Sequence, residues 1–286
     1  MHHFGKFDDK ALAADALFAG HGEGYVRVSL VNHTLGSVMT GLSVCELAPG
    51  GTLDPHVHSF EEGFYLLSGE AVYAVNDQAY RLKAGDYGVV KVGALHSWRN
   101  TSKAPARWLQ MNAPQPKPAG KERDTFFQKG AKAPSDAKPF DVNDLRGNLL
   151  GHFDETMIPP VGQRTNVAAG LEGVFLKWMI DENFGSMHHR MLFIEYQPGV
   201  SIGLHDHTFE EAYFLLSGEV QGVMDGETYL ARPGDVLWTS VGCVHSFANI
   251  GSKPVRWLET FAPIPPKENV FRFMRDWDKR AKELEG

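Results

Sequence analysis

The sequence has few cysteines, no excess of positive charge and no apolar run long enough to cross a bilayer. Its only cysteines are Cys45 and Cys243, each inside or beside an apolar, strand-like run. Two isolated thiols cannot form a disulfide framework, and they read as small buried side chains. The net charge of −7, from 28 basic and 35 acidic residues, gives no general attraction for nucleic acid or an anionic membrane. Neither is expected as a partner. No stretch reaches the roughly 18 apolar residues of a membrane span. The opening "MHHFGKFDDKALAADALFAG" lacks the basic-then-apolar order of a secretory signal, so a cytoplasmic protein is expected. Helical periodicity is also scarce. It is confined to "DDKALAADALFAG" near the start, read as a short capped helix, and to "VFRFMRDWDKRAKELEG" at the end, where Phe271, Phe273, Met274 and Trp277 would form an apolar face. What the chain does have is 30 Gly and 16 Pro among 43% hydrophobic residues, a composition of many turns that favours an all-β reading.

The chain also repeats itself. "PGGTLDPHVHSFEEGFYLLSGEA" at 49–71 returns as "PGVSIGLHDHTFEEAYFLLSGEV" at 198–220. One offset of 149 relates His56 to His205, His58 to His207, Glu62 to Glu211, Gly69 to Gly218 and His96 to His245. The match runs outward from "GS" at 36–37 and 185–186 to "RWL" at 107–109 and 256–258. A duplicated domain follows: 1–113 as the first copy, 114–148 as a Pro-, Lys- and Ala-rich linker along the surface, and 149–286 as the second copy with its terminal helix. Within each copy short strands alternate with turn signals, including a hairpin about Asn76-Asp77 in the first and Asp225-Gly226 in the second.

In "DPHVHSFEE", extended backbone sends alternate side chains to opposite faces. His56, His58 and Glu62 therefore share a face, and Glu61 points the other way as a rim residue, like Glu210 in the second copy. His96 and His245, each after a Gly-Asp turn and an apolar strand, supply a fourth group from a neighbouring strand. One His-x-His alone would be ordinary polar decoration, but two copies of the whole set at one offset point to metal. Three imidazoles and a carboxylate suit Mn or Fe, with Ni and Zn as alternatives. An octahedral shell so filled keeps two adjacent positions for reacting molecules. The pattern is not that of a closed, cysteine-bearing structural zinc site. Trp98 and Phe247 follow the distal histidines by two residues and are read as barrel packing ahead of a pocket wall. His188 and His189, where the first copy has Met39 and Thr40, are read as a surface pair ahead of a substrate contact.

The order Pro-Gly, strand, His-x-His, three residues, Glu, apolar strand and Gly, then Gly-Asp, strand and His, resembles the two motifs of the cupin superfamily in a two-domain, bicupin arrangement. The resemblance covers most of both halves. It implies two tandem double-stranded β-helix (jelly-roll) barrels with short peripheral helices, and a homo-oligomer or compact pseudo-dimer. It also implies metal ligation by His56, His58, Glu62 and His96 in the first domain and by His205, His207, Glu211 and His245 in the second, up to one metal per domain. Cupins host many reactions. The first expectation is a dioxygenase that chelates a small diketone, enediol or phenolic substrate at Fe or Mn, with Glu62 or Glu211 also able to serve as base. The second is a redox-neutral hydrolase, isomerase or lyase, and the third a non-catalytic binding protein. Bicupin oxalate decarboxylases carry an arginine three residues before the first ligand, where this chain has Leu53 and Ile202. That departure ranks oxalate chemistry lower and favours a larger, less charged substrate.

Overall fold

The computed structural model describes residues 1–118, 120–121, 123–130, 132–143, 149–164, 172–265 and the backbone of 271–273. The fold is strands joined by turns in two compact units, and short 3-10 turns are the helical elements among the described residues. Asp8 and Asp15, expected within one capped helix, instead each cap a single turn, Asp9–Ala11 and Ala16–Phe18, by accepting the N–H two residues on. The expected C-terminal helix falls mostly outside the described residues. At its start the backbone of Phe271–Phe273 is a strand paired with His205–His207.

The first unit comprises Phe7–Ile158 and Met179–His189. Its centre is the strand Gly41–His58, which pairs with Gly22–Val31, His96–Arg99, Ala106–Ala113 and Thr125–Phe127. Glu61–Ser68 then pairs with Ala106–Ala113 and with Asp86–Val90. Period-2 alternation sends Cys45, Leu47, Leu53, Phe64, Leu66, Tyr73, Trp98 and Trp108 into one core. Trp98 is packed there against Trp108 with ring centroids 4.8 Å apart, as barrel filling.

The second unit comprises Met1–Lys6, Pro159–Trp178 and Arg190–Gly286. One sheet orders His2–Lys6, Asp235–Thr239, Glu210–Ser217, Val255–Ala262, Arg190–Tyr196 and Val174–Ile180, and the other contains Ser201–His207, His245–Ala248 and the hairpin Val220–Met224 with Glu227–Ala231. Phe209, Tyr213, Leu215, Leu237, Phe247 and Trp257 fill its core. The Asp225-Gly226 turn has both residues at positive φ, 48° and 85°, the two-residue hairpin geometry expected from the sequence. At Gly69 (φ +76°) and Gly218 (φ +76°) the chain turns so tightly that a Cβ would come within 2.2 Å of Pro105 O and 2.5 Å of Pro254 O. Glycine is required at both copies of this turn.

These units do not follow the boundaries expected from the repeat. Residues 2–6 lie at the start of the chain, yet pair with Asp235–Thr239. Among the described residues of the 114–148 segment, Thr125 and Ala133 are buried, and Phe140 packs on the first core. The reason is the same in both cases. A barrel edge carries unpaired N–H and C=O groups, and a passing segment that can pair with it is held there.

Candidate metal centres

In the first unit the strand Gly41–His58 delivers His56 and His58 to one face, and register places His96 directly across from His56. Glu62 enters from the next strand, where it pairs with Asn112 and Val90. All four side chains are buried. The ligating atoms of His56, His58 and His96 lie within 4.8 Å of one another, and the His56 and His96 ring centroids are 4.1 Å apart.

Each imidazole is oriented from behind. Nδ1–H of His56 donates to Asp54 O at 2.7 Å, Nδ1–H of His96 donates to Ala94 O at 3.1 Å, and His58 Nδ1 bonds Thr125 Oγ1 at 2.9 Å. A carbonyl can only accept, so the Nε2 lone pairs of His56 and His96 are turned toward the cluster. Nε2 of His58 and of His96 are buried without a hydrogen-bond partner. The 3.1 Å approach of His58 Nε2 to Glu62 Oε2 therefore lacks hydrogen-bond geometry. Orphaned buried acceptors of this kind are costly unless something binds them, and a divalent metal fits. Glu62 stands slightly apart, because Gln110 Nε2 donates to its Oε2 at 2.6 Å.

Burial, followed by the neighbouring His58, pushes His56 down to about 3. Burial, with Arg27 next, does the same for His58, also to about 3. His96 lies well below the usual imidazole range, mainly from burial. All three are neutral near pH 7, the form that binds metal. Burial also raises Glu62, against the opposing pulls of His96, Arg27 and Gln110.

The second unit assembles the equivalent residues differently. His207, Glu211 and His245 form the group within 4.8 Å. His205 lies outside it, although its ring is 4.4 Å from that of His245 and the two residues pair in register. Backbone carbonyls again hold the Nδ1 side: Gly203 O for His205, Phe209 O for His207 and Cys243 O for His245, at 2.8, 2.8 and 2.9 Å. On the other side these side chains bond one another. His207 Nε2 meets Glu211 Oε2 at 2.7 Å, and the Tyr213 hydroxyl donates to the same oxygen while lying 3.2 Å from His245 Nε2. Burial works against the Glu211 charge, but His207 and His245 outweigh it and hold the carboxyl well below its usual range. Glu259 lies beside Glu211 and is pushed well up by burial and then by that neighbour's charge, so the two carboxyls titrate as a pair. His245 is raised: burial lowers it, and the Glu211 bond more than compensates.

Several residues depart from the parity reading or lie beyond its reach. Glu61 is buried, not on a rim, and accepts from Ser186 Oγ (2.5 Å), Met187 N–H (2.9 Å), His188 N–H (3.1 Å) and His189 Nδ1 (2.8 Å). Burial opposes its charge, yet these donors, His189 first, bring its carboxyl down to about 2. Glu210 is buried as well. His189 is accordingly a buried structural partner, not half of a surface pair. Sequence reasoning does not single out Thr125, Gln110, Tyr213 or Glu259. The β-favouring "TFF" run inside the Pro-rich stretch is the available signal for Thr125, and Gln110 and Glu259 sit one residue beyond the repeated "RWL". Both cysteines are buried and free, with thiols pushed up to about 12, chiefly by burial, and so are inert.

Two β-barrel units, each bringing histidines and a glutamate together on equivalent strands, define a tandem member of one fold family. The Cupin domain family matches residues 43–112 and 192–261, and the chain belongs to the cupin superfamily as a two-domain protein. Among curated proteins it is similar to the tetracenomycin polyketide synthase protein TcmJ of Streptomyces glaucescens, 32% identical over 97 residues, 33% of this chain and 65% of that protein. It is also similar to the polyketide synthase CurC of Streptomyces cyaneus, 28% identical over 75 residues (26% and 49%), and to an oxalate-binding protein of Thermotoga maritima, 39% identical over 62 residues (21% and 51%). The chain thus spans about half to two thirds of the length of these relatives. Among solved structures, oxalate decarboxylase of Bacillus subtilis superposes with a TM-score of 0.66 at 18% identity, covering 96% of this chain and 78% of that one. The Lactobacillus farciminis oxalate decarboxylase formate complex gives 0.65 at 17%, covering 96% and 89%. At such identities the agreement concerns the fold. Among the described residues, no helix is long and apolar enough to cross a membrane.

Proposed function

We propose that this bicupin is a metal-dependent enzyme with a centre in each domain, and that it is an oxygenase of small organic substrates that chelate through two oxygens, of diketone, enediol or phenolic type. What supports this reading most is the convergence of three buried, neutral imidazoles in the first domain, two of which, His58 and His96, have Nε2 atoms without a hydrogen-bond partner. His56, His58, His96 and Glu62 would hold Fe or Mn there, and His205, His207, Glu211 and His245 would hold it in the second domain. A metal so bound supplies dioxygen activation or Lewis-acid polarisation of a substrate oxygen. The protein's own part is positional. The Nδ1 bonds fix the imidazoles, Gln110 holds the Glu62 carboxylate, and the aromatic core excludes water behind them. Glu62, raised toward neutrality by burial, is suited to take up or return a substrate proton. The polyketide synthase relatives support a diketone or phenolic substrate, since polyketide chains carry such groups. Two unpaired buried thiols fit a reducing, cytoplasmic setting.

A redox-neutral reading, a lyase or hydrolase acting on a small carboxylate, is favoured by one observation, the 39% identity to an oxalate-binding protein. Metal analysis and oxygen uptake separate the two. Protein purified without a metal-affinity column is expected to carry about two equivalents of Fe or Mn, with His56→Ala and His205→Ala each losing about one. Oxygen consumption with a diketone or phenol supports the oxygenase, and turnover without oxygen supports the lyase or hydrolase. Full metal content and activity in both variants would overturn the site assignment.

A further inference from the structure

We infer that Arg27 is the anchor for a substrate carboxylate at the first metal centre, making that centre selective for anionic chelators in a way the second is not. The inference rests on the metal reading above. Arg27 lies on the strand Gly22–Val31, directly across from Cys45. Opposed residues of an antiparallel pair share a face, and Cys45 faces the barrel core together with Tyr25, two residues before Arg27. That face leads to the centre by a row of hydrogen bonds: Tyr25 hydroxyl to Cys45 Sγ (3.2 Å), Cys45 Sγ–H to Gln110 Oε1 (2.9 Å), and Gln110 Nε2 to Glu62 (2.6 Å).

The guanidinium is held in place. Its Nε donates to Asp15, which is itself fixed by the Leu17 N–H at 2.8 Å, and its Cζ sits 5.2 Å above the Phe18 ring. Phe18 in turn stands edge-on to His56, with centroids 5.8 Å apart. One aromatic ring therefore touches both the cation and a proposed ligand. Among the described residues the two terminal nitrogens of Arg27 make no hydrogen bond, and the side chain is about one-fifth exposed. A guanidinium fixed through Nε presents its Nη pair as a fork that matches a carboxylate. In the second copy the position 149 residues on is Leu176, which packs against the core. The first centre alone has a cation here.

The alternative role for Arg27 is to fasten the 8–18 segment through Asp15, which would affect all ligands alike. Calorimetric titration of pyruvate and of its uncharged analogue butane-2,3-dione onto Mn(II)-loaded His205→Ala protein separates the two roles, with Mn per chain measured for each variant. The inference expects Arg27→Leu to weaken pyruvate at least about tenfold, to leave the dione within about twofold, and to keep the Mn content. Arg27→Lys retains the charge without the fork, and is expected to weaken pyruvate alone by about threefold. It stands in should Arg27→Leu not fold. Equal weakening of both ligands, no weakening, or no preference of the parent protein for pyruvate would each overturn the inference while leaving the metal reading intact. Failure of the parent protein to take up Mn would overturn both.

Discussion

The two centres use the same four residue types on equivalent strands, and differ in what surrounds them. In the first, outward partners hold the histidines and the Nε2 atoms of His58 and His96 are left without a bond. In the second, His207, Glu211, Tyr213 and His245 satisfy one another. The counterparts explain this. Where the first domain has Phe64 and Gln110, the second has Tyr213 and Glu259, and Arg27 is matched by Leu176. A neutral amide beside Glu62 donates to it, whereas the carboxyl beside Glu211 is itself pushed up by that neighbour's charge. Identical ligand types therefore do not give identical chemistry; the neighbours set the charge and the readiness of each site.

Removing an orienting partner from one site only is the largest test of this contrast. Thr125→Val keeps the shape of a buried side chain and deletes the hydroxyl that His58 Nδ1 bonds. Metal affinity of the first centre is expected to fall roughly 10–100-fold, with the second unchanged. Competition against a chelator in the His205→Ala and His56→Ala backgrounds reads each centre in turn. Equal affinity in the Thr125→Val variant would remove Thr125 from the site.

One histidine of the second centre, His245, differs from His56 and His58 of the first in the sign of its dependence on pH. His56 and His58 of the first centre are pushed down to about 3 in the fold, against about 6.5 in an unfolded chain. Between these values the unfolded chain binds more protons, so metal-free protein loses stability as pH falls through that window. His245 is raised instead. Its contribution is full below about 6.5 and is lost as pH rises through its folded value. Denaturant midpoints measured with chelator from about pH 4 to about pH 8 are expected to slope less for His56→Ala than for the parent. His245→Ala should lose more stability at the acid end than at the alkaline end. The same slope in all three proteins would contradict the contrast.

The two clusters, His56 with His58 and His96, and His207 with Glu211 and His245, are legible in the amino-acid sequence, and so are the barrel strands and the Gly69 and Gly218 turns. The 149-residue offset locates them because they are local patterns of parity and turn chemistry. What stays hidden depends on pairing across long separations. Thr125 reaches His58 over 67 residues. Glu61 is buried by 186–189, which no alternation rule could place against it. Strand 2–6 joins a sheet built from the other end of the sequence. Parity assigns a residue to a face, but not what covers that face.

The smallest expected effect concerns the one hydroxyl that couples the second centre's ligands. Tyr213→Phe would make this position match Phe64 and delete the bond to Glu211. A hydrogen bond to a charged group contributes about 1.5–3 kcal/mol, but His207 still faces the same oxygen at 2.7 Å. The metal-free protein is therefore expected to lose only about 1 kcal/mol, the size of an ordinary neutral hydrogen bond. Metal affinity of the second centre should move in the opposite direction. The phenol competes for Glu211 and lies beside His245 Nε2, so its removal stabilises the bound state relative to the free one, and a gain of a few-fold follows by linkage. Chelator competition in the His56→Ala background measures it. A loss of affinity would instead make Tyr213 an orienting partner of the bound centre, the counterpart of what Thr125 does in the first.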